Sequence, residues 1–285
     1  MNLKHARGVL SSDACVVMGI VNRTPDSFYD GGRMGLDASV AHALALVEQG
    51  AAVLDLGAVK AGPGAAVSLE QEMERLLPLV QALAEVTETP LSVETSRPEV
   101  AAAAVAAGAS IVNDVSALAD AGLAQACAQT GAALILMHNG GQLRGRPRSQ
   151  TYADVSAEVR DSLLEMVERA VATGVPTDAV MIDPGLDFGK NTFHSLALMR
   201  ELPVLVDTGL PVLIAASRKD VIGETLDLPV GERLEGSLAL AVLAASAGAA
   251  MVRVHDVAST ARAVRMAEAV AGRALPLSPV RGLWD

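Results

Sequence analysis

The sequence predicts a (β/α)8 barrel from three observations. A glycine-led phrase recurs along the chain, helix-period segments separate its copies, and no linker-like stretch divides residues 1–285, which are expected to form a single domain. The phrase is a glycine, small residues, an apolar run and then a polar residue. Gly50-Ala-Ala-Val-Leu-Asp55, Gly108-Ala-Ser-Ile-Val-Asn113, Gly131-Ala-Ala-Leu-Ile-Leu-Met-His138 and Gly248-Ala-Ala-Met-Val-Arg253 are copies, and Gly209-Leu-Pro-Val-Leu-Ile-Ala-Ala-Ser217 is a variant. A glycine that ends a helix in the left-handed conformation, followed by a buried strand, accounts for each copy.

The elements follow in chain order. The first strand is expected at 15–22, where the apolar run Val16–Val21 stops at Asn22. Thr24-Pro25-Asp26 is a turn signal, and Gly31-Gly32 can hinge the loop. Leu36, Val40, Ala43, Leu44 and Val47 then share one helical face. After a strand at 52–57, Ser68 and Gln71 form a possible capping box, and Met73, Leu76, Leu77, Val80 and Leu83 follow at helical spacing. Further strands are expected at 90–95, 110–115 and 133–138. Residues 139–150 form a basic, glycine-bearing loop, read as a solvated surface loop with a lid over the barrel mouth as the alternative. Val155, Val159, Leu163, Met166, Val167 and Ala170 make a third helical stripe, ahead of a strand at 180–185. The last two strands, 211–217 and 250–256, bracket a fourth stripe of Leu234, Leu238, Ala241, Val242 and Ala245. No G-x-G-x-x-G follows the first strand and no P-loop occurs, which withdraws support from nucleotide-binding sheets.

Composition narrows the class. Half of the residues are apolar and only 2% are aromatic, so the core must be aliphatic. A formal net charge of −11 argues against nucleic acid and against an anionic membrane surface as partners. Cys15 and Cys127 give neither a disulfide framework nor a zinc spacing, and both read as buried structural thiols. The first 13 residues are mixed and polar, with no secretory signal. The longest nearly apolar run, Leu238 to Val252, is shorter than the roughly 20 residues a membrane span needs. The expected setting is soluble and cytoplasmic.

In a barrel of this kind the C-terminal strand ends carry the chemistry. They read Asn22, Asp55, Glu94, Asn113 with Asp114, Met137 with His138, Asp183, Ser217-Arg218-Lys219, and Arg253 with His255 and Asp256. Asn113, Asp183, Glu94 and Lys219 can read a flat nitrogen heterocycle. A carboxylate accepts parallel N–H bonds from an amino-pyrimidinone edge, Asn supplies a donor and an acceptor, and Lys donates to a ring carbonyl or nitrogen. Arg253, His255 and Asn22 can hold an anionic group, with or without a metal. Plainer readings stand beside these. Asp55 can serve only its own loop, Asn113-Asp114 can be structural, and His138 lacks a zinc-type partner set. His5, His42 and His194 read as surface or helix residues, and Asp187 as a loop residue with no role derived.

Five ordered segments resemble the dihydropteroate synthase family: Met18–Gly32, Ile111-Val-Asn-Asp114, Asp183-Pro-Gly-Leu-Asp-Phe-Gly-Lys190, Ser217-Arg-Lys219 and Arg253-Val-His-Asp-Val257. The resemblance implies a pterin-binding barrel that condenses 6-hydroxymethyl-7,8-dihydropterin diphosphate with 4-aminobenzoate and releases diphosphate. By likeness, Asp183, Asn113 and Lys219 bind the pterin, with Met137 and Phe188 against its ring; Glu94 stands with them as a substrate-binding residue by its strand-end position. Asn22 sits near Mg²⁺ and diphosphate, and Arg253 and His255 hold the leaving group. Asn22, Lys219 and Arg253 are then the catalytic residues, and the chain is expected to form a homodimer.

Two departures leave other readings open. The family's second loop usually reads Asp-x-Gly-Gly-Glu-Ser-Thr-Arg-Pro-Gly, whereas this chain has Asp55-Leu-Gly-Ala-Val-Lys-Ala-Gly-Pro-Gly64, with Lys60, Ala61 and Gly62 in place of Ser, Thr and Arg. The third strand usually ends Ser-Val-Asp-Thr, and Glu94 replaces that Asp, reaching about 1.5 Å further. A pterin-binding paralogue without the standard activity is the second reading. A pterin-dependent methyl-transfer domain is a distant third.

Overall fold

The computed structural model describes residues 1–22, 35–59, 67–141 and 151–281. The Thr24–Asp26 turn, the Gly31-Gly32 hinge, Lys60, Ala61, Gly62 and residues 142–150 of the basic loop lie outside the described residues.

Eight parallel strands form the barrel. They are β3 (Val16–Asn22), β4 (Val53–Gly57), β5 (Leu91–Glu94), β6 (Ile111–Asp114), β7 (Ala133–Met137), β8 (Val180–Asp183), β9 (Leu213–Ile214) and β10 (Met251–Val254). They pair in the order β8-β7-β6-β5-β4-β3-β10-β9, and a parallel bridge from Ile182 to Val212 joins the two ends of the row. Each lies inside its expected range, and the seventh is the shortest. Pro211 has no N–H to give to the ladder, and Lys219 N bonds Ala216 O at 3.2 Å, so the chain turns away soon after Ile214.

Helices α1 (Leu36–Glu48), α2 (Leu69–Val86), α3 (Pro98–Ala106), α4 (Ala121–Thr130), α5 (Val155–Ala172), α6 (Thr192–Arg200), α7 (Pro203–Val206), α8 (Asp220–Leu226) and α9 (Leu234–Ser246) connect the strands, and α10 (Val257–Val270) follows the last of them. The capping box forms as expected: Gln71 N donates to Ser68 Oγ at 3.2 Å and Ser68 N to Gln71 Oε1 at 3.0 Å. The glycine phrase also holds. Gly108, which follows α3, has φ +118°, and an added Cβ would lie 2.4 Å from Ala84 of α2. Only glycine permits both that backbone and that approach.

The first 13 residues depart from the sequence reading. Residues Asn2–His5 (β1) and Gly8–Ser11 (β2) pair as an antiparallel hairpin. Leu3 enters the inner apolar cluster with Met18, Val53, Ile111, Ala133, Ile135, Met181, Leu213 and Met251. The hairpin therefore plugs the N-terminal end of the barrel. His5 is buried, at 8% exposure, because strand alternation turns Leu3 and His5 to the same side. His42 and His194 lie on helices, as expected.

A larger aliphatic cluster fills the space between strands and helices, including Leu54, Leu56, Leu79, Leu83, Leu134 and Leu163. Cys127 is buried within it, whereas Cys15 is only half-buried. Burial pushes both thiols up to about 12, so neither is a ready nucleophile.

Candidate functional site

The inner cluster ends two residues below the strand tips. Val53, Ile111, Met181 and Met251 fill the apolar level, and Asp55, Asn113, Asp183 and Arg253 stand two residues further along the same four strands. Side chains two apart share a face, so an apolar layer carries a polar layer above it, contributed by alternate strands. Four sequence-distant residues are thus brought to one level of the barrel.

Asp55 anchors this level. Its carboxylate, with no exposure, accepts from Ser92 Oγ at 2.6 Å, Asn113 Nδ2 at 3.2 Å and Arg253 Nε at 2.6 Å. The plain reading of Asp55 as a loop anchor is therefore corrected: its partners are side chains from three other strands. Arg253 also donates from Nη2 to Glu94 Oε2 at 2.8 Å. Burial pushes the Glu94 carboxyl upward, with Arg253 opposing the shift and Asp55 adding to it. Asp114 turns away from this group. Its carboxylate accepts from Ser116 N and Oγ and from Leu118 N, holding a turn in which Ala117 and Leu118 both have positive φ.

On the opposite side, Asp183 Oδ1 accepts from Gly185 N at 2.7 Å. Burial pushes its carboxyl up, and the Lys219 cation opposes this. Burial likewise lowers Lys219, with Asp183 opposing. Lys219 Nζ donates to Leu186 O at 2.7 Å and lies 4.8 Å from the centre of the Phe188 ring. Met137 closes the end of β7, 2% exposed. Asn22 is exposed at the end of β3, and a Cβ on Gly57 would lie 3.1 Å from its Oδ1. His255 is exposed at the end of β10, where its Nδ1 contacts Ser217 Oγ at 3.1 Å. Burial, then the Arg253 and Arg218 cations, keep His255 below its usual value, with Asp256 opposing them.

The Asp183–Lys190 segment is built around one buried amine. Lys190 Nζ, in a residue 2% exposed, donates to His138 O at 3.2 Å, Gly185 O at 3.1 Å and Phe188 O at 2.8 Å, and contacts His138 Nδ1 at 2.8 Å. Burial pulls Lys190 down to about 7, and burial beside Lys190 takes His138 down to about 3. His138 Nδ1 is thereby engaged within the protein. The two loops touch closely: a Cβ on Gly185, at φ +64°, would meet His138 O at 2.0 Å. Tyr152 Oη adds a bond to Gly189 O at 3.0 Å.

Asp187 supplies a second brace. At φ +68°, its Oδ2 accepts from Val221 N at 3.1 Å and its Oδ1 from Ser195 Oγ at 3.2 Å. It thereby ties the loop bearing Phe188 to the start of α8, next to Lys219. Asp187→Ala is expected to weaken affinity for a flat heterocycle at this mouth about 10-fold through loss of this placement. Asp187→Asn keeps an acceptor and tolerates the positive φ, so it should recover most of that loss; calorimetric titration of both variants checks this.

The residue that follows the second loop, Val67, is tethered as well. Arg97 Nη2 donates to Val67 O at 2.7 Å, and Arg97 Nη1 to Glu72 Oε2 at 2.8 Å. Glu72 also accepts from Thr95 Oγ1 at 2.7 Å, which fixes the residue after Glu94.

A barrel with this divided mouth, carboxylates and amide facing a lysine over an aromatic ring, is built to hold a flat polar heterocycle. The chain matches the family described as pterin binding enzyme over residues 18–255. It is 47% identical over 281 residues to the "Inactive dihydropteroate synthase 2" of Mycobacterium tuberculosis, covering 96% of this chain and 88% of that protein. With the dihydropteroate synthase of Escherichia coli it shares 42% identity over 255 residues, covering 89% and 90%. The solved dihydropteroate synthase of Xanthomonas albilineans with 4-aminobenzoic acid superposes with a TM-score of 0.88 at 42% identity, over 97% of this chain and all of that one. The chain belongs to the dihydropteroate synthase family of pterin-binding barrels.

Lys190, Ser92 and the braces by Asp187 escape sequence reasoning, because each is defined by a partner on another element of the fold. Asp55 was legible: Val53-x-Asp55 has the same apolar-x-polar offset as Ile111-x-Asn113, Met181-x-Asp183 and Met251-x-Arg253.

Proposed function

We propose that the chain binds 6-hydroxymethyl-7,8-dihydropterin diphosphate and transfers its pterin-methylene group to 4-aminobenzoate, releasing diphosphate. The observation carrying this reading is the polar level of Asp55, Asn113, Asp183 and Arg253, flanked by Lys219 over Phe188. Asp183 accepts the parallel N–H bonds of the amino-pyrimidinone edge, Asn113 complements it, and Lys219 donates to the ring. Met137 and Phe188 pack against the heterocycle. Arg253, His255 and Asn22 receive the diphosphate. The C–O bond to diphosphate breaks with its electron pair on the leaving group, the aniline nitrogen forms the new C–N bond, and its proton passes to solvent. Orientation and charge stabilisation by these side chains are the protein's contribution.

Mg²⁺ belongs to the same reading. No group of three or more His, Cys, Asp or Glu among the described residues could hold a metal. Asn22 offers a single exposed oxygen, which suits a hard cation that keeps its waters and is carried by substrate phosphates. Bound there, the ion would neutralise charge on the departing diphosphate.

A second reading, pterin binding without aminobenzoate condensation, is favoured by the pairing of Arg253 with Glu94 and by the 47% identity to the mycobacterial protein named inactive. Titration of the pterin diphosphate with Mg²⁺, followed by 4-aminobenzoate, separates the two. Saturable binding with diphosphate release is expected. Binding without release selects the second reading, and no binding removes both.

We further propose a homodimer in the cytoplasm. Leu243 of α9 is 58% exposed, and Met266 and Val270 of the adjoining α10 are 63% and 78% exposed, an apolar face a second copy would cover. Sedimentation at twice the chain mass is the expected result, and a monomer at micromolar concentration would refute it. No helix among the described residues is long and apolar enough to cross a membrane.

A further inference from the structure

Arg253 enters the mouth already bound to two carboxylates. Its side chain is 16% exposed, Asp55 is fully buried, and Glu94 is 10% exposed. The two carboxylates hold it differently. Asp55 lies at the centre of the polar level and also accepts from Ser92 and Asn113. Glu94 stands at the rim, and among the described residues its side chain bonds Arg253 alone. An incoming anion can replace the Glu94 contact while Nε stays fixed to Asp55. It cannot replace the Asp55 contact without opening the whole network.

The charge balance sharpens this difference. Asp55 and Glu94 both bond Arg253, so two carboxylates share one guanidinium. Lys219 directs its ammonium to Leu186 O, within the influence of Asp183 and Asp187. Arg253 is thus the cation best placed for an arriving phosphate, and Glu94 occupies the donor group that would receive it.

We propose that Glu94 is an internal counter-anion that competes with the diphosphate of the substrate for Arg253, and so sets how strongly this site prefers phosphorylated over unphosphorylated pterins. The inference rests on the reading above that Arg253 receives the diphosphate. Glu94 acts here through Arg253 and is a specificity-determining residue. The longer arm of glutamate allows this role. At 2.8 Å the Glu94–Arg253 bond is fully formed, and an aspartate on the same backbone would withdraw its carboxylate by about 1.5 Å, beyond direct hydrogen-bond reach.

The test uses the full chain and inorganic pyrophosphate as the probe, with affinity measured by calorimetry for wild type, Glu94→Gln and Glu94→Asp. Glu94→Gln removes the competing charge and is expected to bind pyrophosphate about 10-fold tighter; Glu94→Asp is expected to fall between it and wild type. Pyrophosphate affinity that is unchanged or weaker in both variants overturns the inference. A separate arm titrates 6-hydroxymethyl-7,8-dihydropterin, which carries no phosphate, into wild type. Pterin binding together with flat pyrophosphate affinities across the variants removes the counter-anion alone. Failure of wild type to bind either probe removes the pterin diphosphate reading and this inference with it.

Discussion

Lys190→Met is expected to destabilise the fold by about 3–5 kcal/mol, seen as a fall in melting temperature of roughly 10 °C. The ammonium serves three carbonyl oxygens and one ring nitrogen inside the protein. Methionine fills a similar volume but donates nothing. Each buried acceptor left unpaired costs about 1–3 kcal/mol, and release from burying a cation offsets part of the sum. The effect reaches the site because the freed carbonyls include those of His138 and Phe188, on the two loops that frame Met137 and the Phe188 ring. Pterin affinity should therefore fall in parallel when measured well below the transition. A melting temperature within about 2 °C of wild type would show that the Lys190 bonds do not hold the loops together.

Asp183→Ala is expected to weaken pterin binding by at least about 100-fold. The described bond of Asp183 to the protein uses Oδ1, which leaves the second oxygen for the ligand edge. A charge-assisted bond contributes about 1.5–3 kcal/mol, and the amino-pyrimidinone edge presents two donors to the carboxylate. Asp183→Asn should lose nearly as much, because its amide turns a donor toward a donor. The same substitution should not lower thermal stability, since burial already disfavours the ionised carboxylate. Pterin affinity reduced by less than about 5-fold in both variants would place the ligand edge elsewhere.

The eight strands were legible from short, mostly apolar runs that end in a polar residue, five of them led by a glycine. The N-terminal hairpin was not: four residues such as Asn2–His5 are too few for alternation to stand out, and Leu3 is explained only by the cavity that eight distant strands create. Within the site, Asn113, Asp183 and Lys219 could be chosen from strand-end position and side-chain chemistry. The state of Arg253 could not. Its partner Asp55 lies 198 residues away, and whether an arginine stands ready for an anion or is already neutralised depends on which carboxylates share its level. Lys190 shows the same limit. A lysine after a Phe-Gly pair reads as an exposed loop cation, and only three converging carbonyls make it a buried brace.

The most direct measurement is a fluorescence titration of 6-hydroxymethyl-7,8-dihydropterin into the wild-type chain, repeated on Asn113→Ala. The polar level that holds Asn113 and Asp183, with Lys219 beside it, predicts saturable one-to-one binding that is markedly weakened in the variant. A wild-type chain that fails to bind the pterin, or a variant that binds it as tightly as wild type, would contradict the account.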